Sequence, residues 1–173
     1  IATADVVDGV LHQDGEPLTS EQVRQAIERT LLELGCGLDE TIVAAGTDGA
    51  NPHDRGSGPI GVDEPVIVDI FPRDKATRYH ADMTRTFLHG TPNETVREFH
   101  DLTKVAKAAA LEAVEPGVTG EAVHEAVCEV YEDAGYPTLR TEEGTERGFI
   151  HSTGHGVGLE VHERPRIGRQ GEE

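Results

Sequence analysis

Three histidines, His151, His155 and His162, stand at intervals of four and seven in a stretch that also holds Gly154, Gly156 and Gly158. Each glycine costs a helix interior about 1 kcal/mol, so an extended or looping backbone is expected here, one that can approach a ligand closely. Upstream, Asp69 sits inside an apolar run at residues 65–71, and Asp82 opens a second run at 82–88. An aspartate between Val68 and Ile70 must be paired or metal-bound if it is buried. Two carboxylates held face to face repel, and one would take up a proton unless a cation lay between them. Oxygen donors with one imidazole suit manganese, cobalt, iron or zinc. Two such ions about 3.5–4 Å apart activate a bridging water and polarise a carbonyl. A hydrolytic metal site is the economical reading. Its bland alternatives are a satisfied strand aspartate at 69, a strand-edge acid at 82 and a loop histidine at 155. His12, His80, His89, His100 and His124 lack such company and read as surface residues, although His80 stands close to Asp82.

The elements that must hold these residues can be read from pattern. Thr19 and Gln22 have the spacing of a capping box. Val23, Ala26, Ile27, Leu31 and Leu34 then recur at helical intervals, and Gly35 stops the helix. Residues 41–45 and 65–71 read as strands, 51–61 as a loop holding His53, 74–77 as a turn, and 82–88 as the strand that returns. A second round begins at Asn93, read as a helix cap. Val96, Phe99, Leu102, Val105 and Ala109 mark one amphipathic helix, which Pro116-Gly117 breaks. Thr119 caps another, with Val123, Ala126, Val127 and Val130 inward and Gly135 at its end. A strand is expected at 148–150, leading into the histidine segment. Helices followed by antiparallel strands make an α+β domain. The second round stops before its own hairpin is complete.

The formal charge is −18, with 33 acids against 15 lysines and arginines and only three lysines, Lys75, Lys104 and Lys107. Such a surface is a poor partner for nucleic acid or anionic membranes. No apolar run approaches the roughly 20 residues that span a bilayer. The acid excess with scarce lysine suits a protein kept soluble in a salt-rich cytosol; an ordinary acidic cytosolic protein is the alternative. Cys36 and Cys128 form no metal framework and read as reduced, packed thiols on helical segments. The chain begins at Ile1, and its acidic end reads as a loop, which suggests a fragment.

At Asn51-Pro52-His53, Val68-Asp69, residues 81–87 (Ala-Asp-Met-Thr-Arg-Thr-Phe) and residues 151–165, the chain resembles the pita-bread metallopeptidases: methionine aminopeptidases, Xaa-Pro aminopeptidases and prolidases. It is most similar to the Xaa-Pro group, over residues 19–165. The resemblance implies an α+β pita-bread fold, with a curved antiparallel sheet, helices on its outer face and a pseudo-twofold repeat, incomplete at the C-terminus. Residues 1–173 would be one catalytic domain, without the N-terminal domain and last strands. The implied metal ligands are Asp69, Asp82 and His155, holding two divalent ions, manganese first, with cobalt, zinc or iron as alternatives. His162 and His53 would be catalytic and would bind substrate, His151 would border the substrate, and Thr84 would orient a carboxylate. The substrate would be a peptide or dipeptide with proline second, cleaved by a cytoplasmic aminopeptidase or dipeptidase that can form a homodimer.

Two departures from the family pattern stand out. Its aspartates are usually eleven apart and here lie thirteen apart, which a longer turn at 73–78 would absorb. Its two glutamate ligands follow the histidine motif, and neither Glu160 nor Glu163 takes their place. The chain alone is therefore expected to bind metal weakly and to be inactive. Two other readings are a non-catalytic peptide- or protein-binding module and a metal-free hydrolase like creatinase. The retained Asp69, Asp82, His155 and His162 count against both.

Overall fold

Thr19 begins the first helix with the reciprocal bonds of a capping box. Its hydroxyl accepts from Gln22 N, and its own N–H donates to Gln22 Oε1. The computed structural model describes residues 4–169, so the acidic end at 170–173 lies outside it. These residues form two compact units, 4–94 with Gly158–Val161, and Thr95–Val157 with 162–169.

In the first unit, β1 (Asp5–Val7), β2 (Val10–Gln13) and β3 (Glu16–Pro17) form a small antiparallel sheet. Helix α1 (Ser20–Glu33) follows and ends before Gly35, whose φ of 85° is a left-handed conformation that glycine adopts without strain. Then come β4 (Cys36–Gly37), β5 (Thr41–Ala45), a 3₁₀ turn at Gly46–Ala50, β6 (Pro65–Ile70), β7 (Arg73–Asp74) and β8 (Met83–Leu88). β4 pairs with β7, and β5, β6 and β8 form an antiparallel sheet with β6 in the centre. Val66 and Val68 of β6 pack with Leu11, Leu18, Val43 and Ile60, against Val23 and Ile27 of α1. Burying each such side chain contributes about 1.5–3 kcal/mol. Successive strand residues alternate faces, so Asp69 points away from Val66 and Val68.

In the second unit, α2 (Glu94–Ala113) and α3 (Gly120–Asp133) are followed by a two-stranded antiparallel hairpin, β9 (Gly154–Gly156) and β10 (Glu163–Ile167). Thr119 caps α3 by accepting from Ala122 N. Ala106, Val127, Cys128 and Phe149 make this unit's core.

Four expectations change. Residues 148–150 form no strand; Phe149 makes a single bridge with Thr138, and its N–H donates to Pro137 O. Cys36 lies on β4 rather than a helix, because it pairs with the distant Asp74. On α2 the buried residue is Ala106, while Phe99 and Val105 are about half exposed, at 48% and 56%. His124 is not at the surface: it is 5% exposed on the inward stripe of α3.

Candidate functional site

Strand register places the first group of candidate residues. Asp69 stands opposite Ile42 on one side and Thr84 on the other. The Thr84 hydroxyl donates to Asp69 Oδ1 at 2.7 Å. Directly opposed residues share a face of the sheet. Asp82, two positions before Thr84 and immediately ahead of β8, continues that face by alternation.

The connection between the aspartates is a tight hairpin. Asp74 N donates to Tyr79 O, and Arg78 N donates to Asp74 O. The Asp74 carboxylate accepts from Thr77 N, the Thr77 hydroxyl and Ala76 N, and these bonds hold it below the usual carboxylate range. The longer segment between the two aspartates is thus closed on itself by a local carboxylate. His80 follows, with Nδ1 3.3 Å from Phe71 O and its N–H donated to Gly158 O at 2.7 Å.

His53 lies in a braced, exposed loop. Its N–H donates to Asn51 Oδ1 at 3.0 Å. Three residues on, Gly56 has φ 73°, and a Cβ there would come within 1.9 Å of Val43 O. The chain can only pass this close to β5 as glycine. Arg24 of α1 donates to the carbonyls of Arg55 and Gly56, so the helix holds the loop's far side.

The histidine segment belongs to the second unit. His155, in the middle of β9, places Nδ1 3.0 Å from Gly156 O. A carbonyl only accepts, so Nδ1 is the donor of this bond. Gly156 itself must be glycine, since a Cβ would lie 2.2 Å from Arg164 O. The His155 and His162 rings meet edge to face with centroids 4.4 Å apart. His151 is exposed, with Nδ1 2.8 Å from Ser152 O and its ring 4.8 Å from Phe149.

These donors fit a divalent cation in chemistry. A hydrogen-bonded carboxylate and an imidazole with a fixed tautomer are what such ligands require. Among the described residues, no group of three or more His, Cys, Asp or Glu side chains is gathered closely enough to hold an ion. The structure therefore joins Asp69 to Thr84 in the first unit and His155 to His162 in the second.

The residue that pattern reading missed is His124. Its Nδ1 lies 2.8 Å from Thr153 Oγ1, inside the histidine segment. The available signal was its place beside Val123 and Val127 on the apolar stripe of α3.

Comparison with known proteins bears on the fold and the family. The Xaa-Pro dipeptidase of Pyrococcus furiosus is 37% identical over 134 residues, 77% of this chain and 35% of that protein. The solved prolidase from Pyrococcus furiosus superposes with a TM-score of 0.79 at 32% identity, over 91% of this chain and 44% of that one. The solved X-Pro aminopeptidase from Thermotoga maritima gives 0.77 at 29% identity, over 91% and 42%. The chain thus spans less than half the length of these relatives. Its α+β fold is the pita-bread fold of prolidases and aminopeptidases. The sequence profile of metallopeptidase family M24 matches residues 1–173 throughout, and the chain belongs to that family.

Proposed function

We propose that the complete protein is a metal-dependent peptidase that hydrolyses the Xaa-Pro bond at the N-terminus of peptides or dipeptides. The observation that carries this is the Thr84–Asp69 hydrogen bond on a hairpin whose same face continues to Asp82. A strand aspartate held in this way is a prepared cation ligand. Relatives named Xaa-Pro dipeptidase support the substrate class.

In this reading Asp69, Asp82 and His155 hold two divalent ions, manganese first, with cobalt, zinc or iron as alternatives. Bound ions would supply Lewis acidity and a water of lowered pKa. His162 stabilises the developing oxyanion, and His53 assists at the leaving imino nitrogen. His151 borders the substrate. Thr84 keeps one Asp69 oxygen oriented. Residues 1–173 act as part of one catalytic domain. Three of five ligands leave this stretch alone weak in metal binding and inactive. A cytosolic location suits the acidic surface and the two free thiols. A homodimer is compatible with the same reading.

The test is hydrolysis of Ala-Pro and Ala-Pro-Ala by the complete protein, before and after chelation. Activity should vanish with chelator and return with Mn²⁺. Cleavage of Ala-Pro alone marks a dipeptidase, and cleavage of both an aminopeptidase. Hydrolysis indifferent to the chelator, or absent throughout, overturns the proposal.

A further inference from the structure

His124 is the one histidine among the described residues that is buried. It lies on the buried stripe of α3 with Val123, Val127 and Cys128. A leucine or valine would satisfy that stripe, and a buried imidazole is costly unless both nitrogens find partners. Both do. Nδ1 is 2.8 Å from Thr153 Oγ1, and Nε2 is 3.5 Å from Cys128 Sγ, with the ring packed against Phe149.

Burial holds this imidazole below the usual histidine range, and the cations of Arg140 and Arg169 act in the same direction, against Glu125. Burial also pushes the Cys128 thiol up. The sulfur thus keeps its proton and can donate it to Nε2. A neutral ring has one donor and one acceptor nitrogen, which leaves Nδ1–H to donate to Thr153 Oγ1.

Thr153 stands two positions from His151 and two from His155. Its own N–H donates to Ile167 O of β10 at 2.9 Å. The N-terminus of α3 meets the same strand with no room to spare, since a Cβ on Gly120 would lie 2.1 Å from Arg166 O. Those two anchors are backbone features. The His124–Thr153 bond is a side-chain anchor, and it grips the segment between the two site histidines.

We propose that His124 is a positioning residue. Through Thr153 Oγ1 it fixes the path of residues 151–155, so that His155 keeps Nδ1 on Gly156 O. The consequence for metal binding rests on the function proposed above; the structural link does not.

The experiment compares five single variants of the complete protein. His124→Asn keeps an amide where Nδ1 was, whereas His124→Gln moves it to the Nε2 position. His124→Leu fills the space without a hydrogen bond. Thr153→Ser keeps the hydroxyl, and Thr153→Val removes it. Two-bond ¹H–¹⁵N spectra of metal-free protein at pH 7.5 report the His155 tautomer, and titration with Mn²⁺ reports affinity. The parent, His124→Asn and Thr153→Ser should show the Nδ1–H tautomer. His124→Gln, His124→Leu and Thr153→Val should show an averaged ring and lose about 10- to 100-fold in Mn²⁺ affinity. The double variant His124→Leu/Thr153→Val should bind no more weakly than either single one.

A folded His124→Leu or Thr153→Val with the parental His155 spectrum and affinity overturns the proposal. Should His124→Leu fail to fold, Thr153→Val decides alone, since it leaves α3 unchanged. A parent that binds no Mn²⁺ refutes the peptidase reading, while the His155 spectrum still decides this one.

Discussion

Thr84 holds one oxygen of Asp69 by a charge-assisted bond of 2.7 Å, and its role can be separated from that of the strand. Thr84→Val keeps the shape and removes the donor. The expected result in the complete protein is a 10- to 100-fold weaker Mn²⁺ affinity by titration, roughly the loss typical of ligand-orienting groups, with Thr84→Ser restoring it. Unchanged affinity in Thr84→Val would show that Asp69 needs no such help. His162 belongs to the substrate side of the proposed chemistry. His162→Ala should lower kcat by about 100-fold or more while metal content, measured by elemental analysis, survives. Near-normal turnover refutes that role. Asp69, Asp82 and the histidine triplet stand out in the sequence because aspartate in an apolar strand and glycine around histidine are costly choices without a purpose. His124 was not legible in the same way. Histidine type pointed to the surface, while its place beside Val123 and Val127 pointed inward, and only the contact with Thr153 decides between them.

Local signals located most elements. The capping box at Thr19, the cap at Thr119 and the stops at Gly35 and Gly135 are each satisfied within a few residues, so pattern suffices. β4 and the Phe149–Thr138 bridge depend on partners far along the chain, and no local pattern carries that information. Within β5, Thr41 is fully buried and its hydroxyl finds no partner among the described residues. Thr41→Val replaces that hydroxyl with a methyl of similar size and is expected to raise stability by about 1 kcal/mol in denaturant melts. A loss of stability would mean the hydroxyl is satisfied. At the end of α3, Glu132 accepts from Arg140 and from the Thr138 hydroxyl, and these bonds hold its carboxyl below the usual glutamate range. A lowered acid contributes stability above its unfolded pKa and loses it as pH falls through the folded value. Thr138→Val should therefore lower stability at pH 7 by about 1 kcal/mol, with the gap to the parent narrowing as acidification protonates Glu132. A gap independent of pH would place the loss in packing rather than in the carboxylate.

At the scale of the molecule, a net charge of −18 sets self-repulsion against the compact state. Added salt screens it. The thermal midpoint is expected to rise steadily as KCl increases from dilute buffer to molar concentration; a falling midpoint would refute the salt-adapted reading. The α+β class was readable because helices and antiparallel strands alternate in blocks. The division into two units was not, because Gly158–Val161 leaves its sequence neighbours to join the first unit, where Gly158 O accepts from His80 N. Family membership and the role of the aspartates meet in one quantity, the metal bound per subunit. The most direct measurement is elemental analysis of the complete protein and its Asp82→Asn variant after reconstitution with Mn²⁺, alongside Ala-Pro hydrolysis. Two ions per subunit in the active parent, with loss of bound metal and activity together in Asp82→Asn, is the expected result. Full metal content and turnover in Asp82→Asn would contradict the proposed site.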